Sequence, residues 1–401
     1  MQGGARQGAA RSMIKRIKEN MVQVWQERLD HFKEMIREDI EKGLYYGASV
    51  RVGRGGTLVF NETIGHADAA GEKPINPDSI FSIFSMTKAF TNILTLRAIE
   101  MGRFALTTKV SDIIPEFAGP PRDQATFFHL LTHTAGWPGL WEIRPGALQD
   151  QVDEVIADIC AFVSGTTEPG QRCNYQPLVN HALMGEAIRR TDPKQRSLRD
   201  IYREDLFEPL KMHDTAMGVR KDLQPRHIIP DMRGTLPVTT PGHNNKSDYG
   251  IFEEEFAEMP HVGCVATADD MWRFTEMLRR GGELDGVRIL SPRTIKLATQ
   301  CWTGEMENEL YRWLALSMGW KAYPAYMGLG FSLKGKTLNH NQYGTLTSEG
   351  TFGNNGAGSS IYWVDPVADA TFVCLTAGVM HEGHNMLRFQ RYSDTVASAM
   401  V

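Results

Sequence analysis

The chain has 401 residues, 42% of them hydrophobic and 23% charged, and a net charge of −5 from 43 Lys and Arg against 48 Asp and Glu. That is the balance of a globular protein large enough for two lobes, and the interspersed signs exclude nucleic acid or an anionic membrane as partner. No apolar run approaches the roughly 18 residues of a membrane helix, and the basic N-terminus lacks the apolar core of a secretory signal.

Residues 1–12, rich in Gly, Ala, Gln and Arg, read as a disordered tail. From Met13, apolar residues (Ile14, Ile17, Met21, Val24, Leu29, Phe32, Ile36, Ile40) recur every three to five places up to Gly43. The spacing predicts one long helix over 13–43; a helix of roughly 30 residues would pack on the protein's own sheet or, as a second reading, also serve as an arm that joins two copies as a homo-oligomer. Ala48 to Val52 and Thr57 to Ile64 form a predicted hairpin across Arg54-Gly55-Gly56. An amphipathic helix follows from Phe90 to Met101. Further helices are predicted at 127–133, 150–164, 178–191, 196–206, 268–280, 291–299 and 385–400, with strands near 326–334, 345–352, 358–365 and 370–377. The stretch 222–262 is a loop too long to be mere connection.

Strands at both ends with helices between predict an α/β (α+β type) fold, an antiparallel sheet flanked by helices with a large helical insertion. The expected division is 13–100 plus 321–401 for the sheet domain and 101–320 for the helical one, with the active site between them. The five cysteines (160, 173, 264, 301, 374) are odd in number and scattered. They predict reduced thiols in a cytoplasmic protein, with no disulfide frame and no zinc site.

The chemistry concentrates in Phe81 to Phe90, FSIFSMTKAF. Ser85 and Lys88, three apart, share one face of a helical turn. A hydroxyl at a helix start faces unpaired N–H groups able to hold an oxyanion. A lysine among apolar neighbours is desolvated, which lowers its pKa and makes it a base. The spacing alone is weak, since Ser12 and Lys15 repeat it in the N-terminal arm; the apolar turn before Ser85 and the helix after it set that pair apart. Tyr175, in PGQRCNYQP, follows a Pro-Gly turn and precedes a helix that Pro177 suits as a first-turn residue. A neighbouring ammonium is expected to lower its phenol pKa enough to accept a proton. In TFGNNGAGSS, 351–360, glycines inside a strand predict close approach to its backbone, as along a substrate or at a bulge.

Together these blocks resemble the serine β-lactamase and penicillin-binding-protein-like superfamily, nearest its class C-like (family VIII) carboxylesterases and transesterases. The resemblance runs from about Leu44 to Val379. After FSIFSMTKAF come LLTHTAG at 130–136, the tyrosine after Pro169-Gly170, FEPLKMHDT at 207–215, VGCVATADDMWRF at 262–274 and GNNGAGSSIYWVDP at 353–366, in family order. The resemblance implies Ser85 as nucleophile, Lys88 as base or proton relay, and Tyr175 as the group passing the proton to the leaving group. It also implies an oxyanion hole made by the N–H groups of Ser85 and Ala357.

Two departures bear on substrate. The family's β-lactamases and peptidases have Tyr-x-Asn where this chain has Pro177, and Lys-Thr-Gly, or His-x-Gly in many esterases, where it has Asn354-Asn355-Gly356. Without that cation, an anionic β-lactam loses its carboxylate partner, so a neutral ester or lactone is the expected small-molecule substrate. Acyl transfer to an alcohol and an amidase or β-lactamase-type hydrolysis remain as alternatives, as does a binding protein without catalysis. Asn354 and Gly356, with Trp137 and Trp141, are expected to contact substrate. Trp302, Trp313, Trp320, Tyr323 and Tyr326 are aromatics that would border the cleft or fill the core. A metal reading would rest on His129/His133, which lack the Glu of H-E-x-x-H and of which His133 falls in the LLTHTAG block, and on His381 and His384; neither a metal nor another cofactor is expected.

Overall fold

The computed structural model describes residues 23–231 and 240–401. Its strands, in chain order, are β1 (Gly47–Arg54), β2 (Thr57–Gly65), β3 (Ile80–Ser82), β4 (Ala216–Met217), β5 (His227–Ile228), β6 (Cys264–Ala266), β7 (Glu283–Leu284), β8 (Val287–Arg288), β9 (Ser332–Leu333), β10 (Phe352–Gly356), β11 (Ser360–Asp365) and β12 (Ala370–Ala377). The α-helices are α1 (Gln26–Glu41), α2 (Thr87–Glu100), α3 (Val110–Ile113), α4 (Phe127–Leu131), α5 (Val152–Phe162), α6 (Val179–Arg190), α7 (Leu198–Tyr202), α8 (Ala268–Arg279), α9 (Pro292–Ala298), α10 (Glu309–Ser317) and α11 (Glu382–Ser398).

The main sheet has six strands in the order β2-β1-β12-β11-β10-β9. The expected hairpin is β1–β2, and Gly47 to Arg54 pair antiparallel with Ala370 to Ala377. N- and C-terminal parts thus build one antiparallel sheet. One face is covered by α1 and α11, where the Phe32 ring packs against Phe60, Phe372 and Tyr392 at 5.2, 6.1 and 5.1 Å. The other face carries α8, whose Phe274 meets the Tyr362 ring edge-on at 5.9 Å. A smaller sheet, β4-β6-β3-β5, lies beside it. In it β3 pairs with β6, and the chain runs from β3 straight into the turn that carries Ser85.

Four expectations change. The helix over 13–43 is not continuous: Val24 bridges to Met400 and the Trp25 N–H donates to Ala399 O at 2.8 Å, so α1 starts only at Gln26. Residues 1–22, with the expected tail and the Ser12/Lys15 pair, lie outside the described residues, as do 232–239 of the long loop. The helix after Ser85 is not amphipathic but buried on nearly every side, from Thr87 through Leu96. Its polar residues are satisfied inside: Asn92 donates to Gly330 O at 2.8 Å and is hydrogen-bonded to His181 Nε2 at 3.0 Å. The strand expected at 345–352 begins only at Phe352, because Asp394 Oδ1 accepts the N–H groups of Thr345 and Leu346 (2.6 and 2.7 Å) and holds them in a turn. Finally, the strand expected at 326–334 shrinks to β9, interrupted by Tyr326 and Gly330, both at positive φ.

Candidate active site

Ser85 lies in a single 3-10 turn, Phe84–Met86, between β3 and α2. Phe84 has φ +48, an uncommon conformation for a bulky residue. The end of β10 presses on this turn and explains Gly356 and Gly358, whereas Gly353 is crowded by Tyr362 on β11. A Cβ on Gly356 would sit 2.6 Å from Ile83 O and 3.3 Å from Ser85 N, and one on Gly358 2.3 Å from the Phe84 ring. What approaches the backbone here is therefore the serine turn. The Phe84 ring rests in turn on Phe252 at 4.6 Å, so the long loop before β6 supports the turn from beneath.

Lys88, one helical turn on, is buried. Its Nζ is 3.0 Å from Ser85 Oγ and donates to the His261 carbonyl at 2.7 Å. Among the described residues it has no carboxylate partner, and burial lowers its pKa to about 7. A neutral amine that donates to His261 O keeps its lone pair for the Ser85 proton.

Tyr175 is held from four sides. Its N–H donates to Asn308 Oδ1 at 3.1 Å, its ring lies between those of His133 (5.0 Å) and Tyr311 (5.9 Å), and Lys88 Nζ sits 5.4 Å from the ring centre. The LLTHTAG turn fixes the neighbouring residues: His133 O accepts from Asn174 N, and His133 Nδ1 from Gln176 N at 3.0 Å. His133 is buried, its pKa lowered to about 3 mainly by that burial, so it stays neutral and serves this clasp. Burial drives the pKa of the Tyr175 phenol up, against the expected lowering by the lysine, and the nearby Ser85 hydroxyl offsets only part of it. The phenol is a proton donor at neutral pH, and Lys88 is the group with an available lone pair.

These side chains meet at a cavity of about 320 Å³ lined by Ser85, Tyr175 and Ala357, with Trp141, Tyr311 and Trp313 as its aromatic walls. Of the residues expected to contact substrate, Trp141 lies on its rim. Trp137 does not: it is in the core, donating to Asn180 Oδ1 at 3.0 Å and edge-on to Phe117. Strand alternation turns Asn354 away, where its Oδ1 accepts from the Tyr362 hydroxyl at 2.7 Å, and brings Asn355 into the cavity on the same face as Ala357. Gly356, between them, packs on the serine turn. Trp302 meets Phe128, Trp320 meets His340, and Tyr323 and Tyr326 border a separate small hollow.

Sequence reasoning missed α10, which brings Leu310, Tyr311, Trp313 and Leu314 to the wall, and the start of α11, which brings His381 and Glu382. The signal for α10 was present: Asn308 is its N-cap, accepting from Leu310 N at 3.1 Å while the same oxygen holds Tyr175 N. Glu382 accepts from Asn355 Nδ2 at 2.9 Å, and burial raises its carboxyl pKa. Among the described residues, no arginine and no lysine lines the cavity.

A family profile described as beta-lactamase matches residues 32–392. Protein Rv1367c of Mycobacterium tuberculosis is 27% identical, over 86% of this chain and 89% of its own. A penicillin-binding protein homolog from Caulobacter crescentus superposes with a TM-score of 0.76 at 24% identity, covering 92% of this chain and 97% of the homolog. A family VIII carboxylesterase superposes with a TM-score of 0.74 at 21% identity, over 92% of this chain and 97% of the esterase.

Proposed function

Since the chain belongs to the beta-lactamase family of serine hydrolases, we propose that it cleaves a neutral carboxylic ester or lactone through an acyl-enzyme on Ser85. The observation that carries this reading is the 3.0 Å contact between Ser85 Oγ and a buried Lys88 Nζ that lacks a carboxylate partner among the described residues. Ser85 Oγ attacks the ester carbonyl as its proton passes to Lys88 Nζ, and the negative charge develops on the carbonyl oxygen beside the N–H groups of Ser85 and Ala357. The carbon–oxygen bond to the alcohol then breaks. Tyr175 donates its proton to the departing alkoxide and is reprotonated from the Lys88 ammonium. Water enters in place of the alcohol, and the same steps in reverse release the acid.

The choice of ester over β-lactam rests on charge. Asn354, where the β-lactamases and peptidases of the resemblance carry a lysine, is engaged with Tyr362, and the cavity carries a carboxyl at Glu382 with neither lysine nor arginine on its walls among the described residues. The decisive experiment sets p-nitrophenyl esters of increasing chain length and aromatic lactones beside benzylpenicillin, on wild type and Ser85→Ala. Intact mass after a fluorophosphonate should show a single adduct on the peptide holding Ser85. Full ester turnover by Ser85→Ala, or an adduct on another serine, overturns the assignment.

A further inference from the structure

The carboxyl of Glu382 has no role in the chemistry above, and its setting is unusual. It sits in the wall of a mostly apolar cavity, and its only hydrogen bond among the described residues comes from Asn355. No lysine, arginine or histidine forms an ion pair with it among those residues. A carboxylate in such a place is costly unless a cation meets it. Its position as the first residue of the 17-residue helix α11 favours the negative form. Beside it in the cavity wall are Tyr311, one face of which is stacked on Tyr175 at 5.9 Å, and the rings of Trp313 and Trp141 at the rim. Aromatic faces around one carboxylate are the chemistry that binds an ammonium group, the rings contributing cation–π attraction and the carboxylate the charge.

Resting on the ester reading of Ser85, we propose that this cavity selects esters bearing an ammonium group, which Glu382 and the aromatic walls receive. The distance fits. Asn355, which holds Glu382, and Ala357, beside the reacting carbonyl, are two residues apart on one strand face, roughly 7 Å along the strand, and both line the same cavity. A quaternary or primary ammonium two to four bonds from the ester group spans that gap on either side of it.

Two measurements test this separately from the ester reading. The first is calorimetric binding of phenyltrimethylammonium to wild type and Glu382→Gln; glutamine keeps an oxygen for Asn355 and removes the charge. Binding at least tenfold weaker in the variant is expected. Equal binding in both overturns the proposal whatever the enzyme hydrolyses. The second compares isosteric pairs by the ratio of kcat/KM: a choline ester against the 3,3-dimethylbutyl ester of the same acid, and p-nitrophenyl 4-(trimethylammonio)butyrate against p-nitrophenyl 5,5-dimethylhexanoate. In at least one pair wild type should prefer the cation tenfold or more, and Glu382→Gln should bring that ratio near one. A ratio at or below one in both pairs for wild type overturns the proposal. Glu382-dependent binding of the cation with no turnover of any ester would overturn the ester reading and leave the cation site standing. If Glu382→Gln does not fold, Glu382→Asp, which withdraws the carboxylate by one methylene, and Trp313→Ala at the rim give the same comparison.

Discussion

Lys88 donates to the main-chain carbonyl of His261 at 2.7 Å while its Nζ lies 3.0 Å from Ser85 Oγ. The carbonyl contributes no charge, so it orients the amine without raising its pKa as a carboxylate would. The segment before β6 thereby aims the lone pair at the serine. With a Lys88 pKa of about 7, kcat/KM for a neutral ester should rise with pH, with a midpoint near that value, and level off above it. Lys88→Arg, charged at every working pH, should lose roughly a thousandfold, as Lys88→Ala does. A pH profile flat from 5 to 9, or an arginine variant within about tenfold of wild type, would remove the lysine from the role of base.

The same burial has a stability consequence. Unfolded, Lys88 has its ordinary pKa of 10.5, and folded it falls to about 7. Between these values the unfolded chain holds a proton that the folded chain does not, so this group makes stability rise with pH across that window. Below it the cost is present in full, on the order of a few kcal/mol. Lys88→Met, similar in shape and without charge, should therefore melt at a higher temperature than wild type at pH 7, and the difference should shrink toward pH 10. A methionine variant less stable than wild type at pH 7 would contradict the burial argument.

What could be read from the sequence followed from local rules. Ser85 and Lys88 share a helical face because they are three apart, and the Pro169-Gly170 turn before Tyr175 marks a loop; the structure brings Ser85 and Tyr175 to one cavity and sets Lys88 Nζ 3.0 Å from Ser85 Oγ. The strand pairing of β1 with β12 followed from β-rich runs at both ends of the chain. What failed needed facts about other segments. Two adjacent asparagines, 354 and 355, differ only in which face of β10 they occupy, and composition carries no parity for a strand buried on both sides. Trp137 and Trp141 sit in the same loop-rich stretch, and only packing on Phe117 separates core from rim. Glu382 lines the same cavity as Ser85 because α11 begins shortly after β12 ends, a closeness in space with no mark in either segment alone.

The bond from Asn308 to Tyr175 predicts a linked defect. One oxygen accepts both Tyr175 N and Leu310 N, each at 3.1 Å. Asn308→Ala should lose an N-cap contribution of about 1 kcal/mol and also loosen the loop that carries the phenol. Its stability, read by denaturant midpoint, should fall modestly while kcat falls more than KM rises. Asn308→Asp, which retains an accepting oxygen, should recover most of both. Equal kcat in Asn308→Ala and wild type would separate the cap from the site.

Gly356 predicts a steric limit on the serine turn. Its backbone is not at positive φ, so alanine is allowed there by conformation and forbidden only by space. The added Cβ would lie 2.6 Å from Ile83 O, a main-chain atom that cannot swing aside. Gly356→Ala should thus cost about 1–3 kcal/mol in overpacking and push the serine turn away from Ala357, lowering kcat sharply. A variant with wild-type kcat would show that β10 and the turn can separate without consequence for the oxyanion position.

The choice between ester and β-lactam follows from the charges on the cavity wall. Benzylpenicillin brings a carboxylate, which would lack its charge-assisted hydrogen bond. Such a bond contributes about 1.5–3 kcal/mol, roughly ten- to hundredfold. The same carboxylate would also meet Glu382, whose ionised form opposes it across a mostly apolar cavity with no lysine or arginine on its walls among the described residues. A neutral ester meets neither penalty. Wild type should therefore prefer a p-nitrophenyl ester over benzylpenicillin by about a thousandfold in kcat/KM. Asn355→Lys, which adds a cation on the cavity face of β10, should narrow that gap from the penicillin side, whereas Asn354→Lys, on the opposite face, should break the Tyr362 contact and destabilise the fold without helping. Comparable turnover of penicillin and ester by wild type would mean that the carboxylate is received by a group outside this wall, and the assignment to neutral esters would fall.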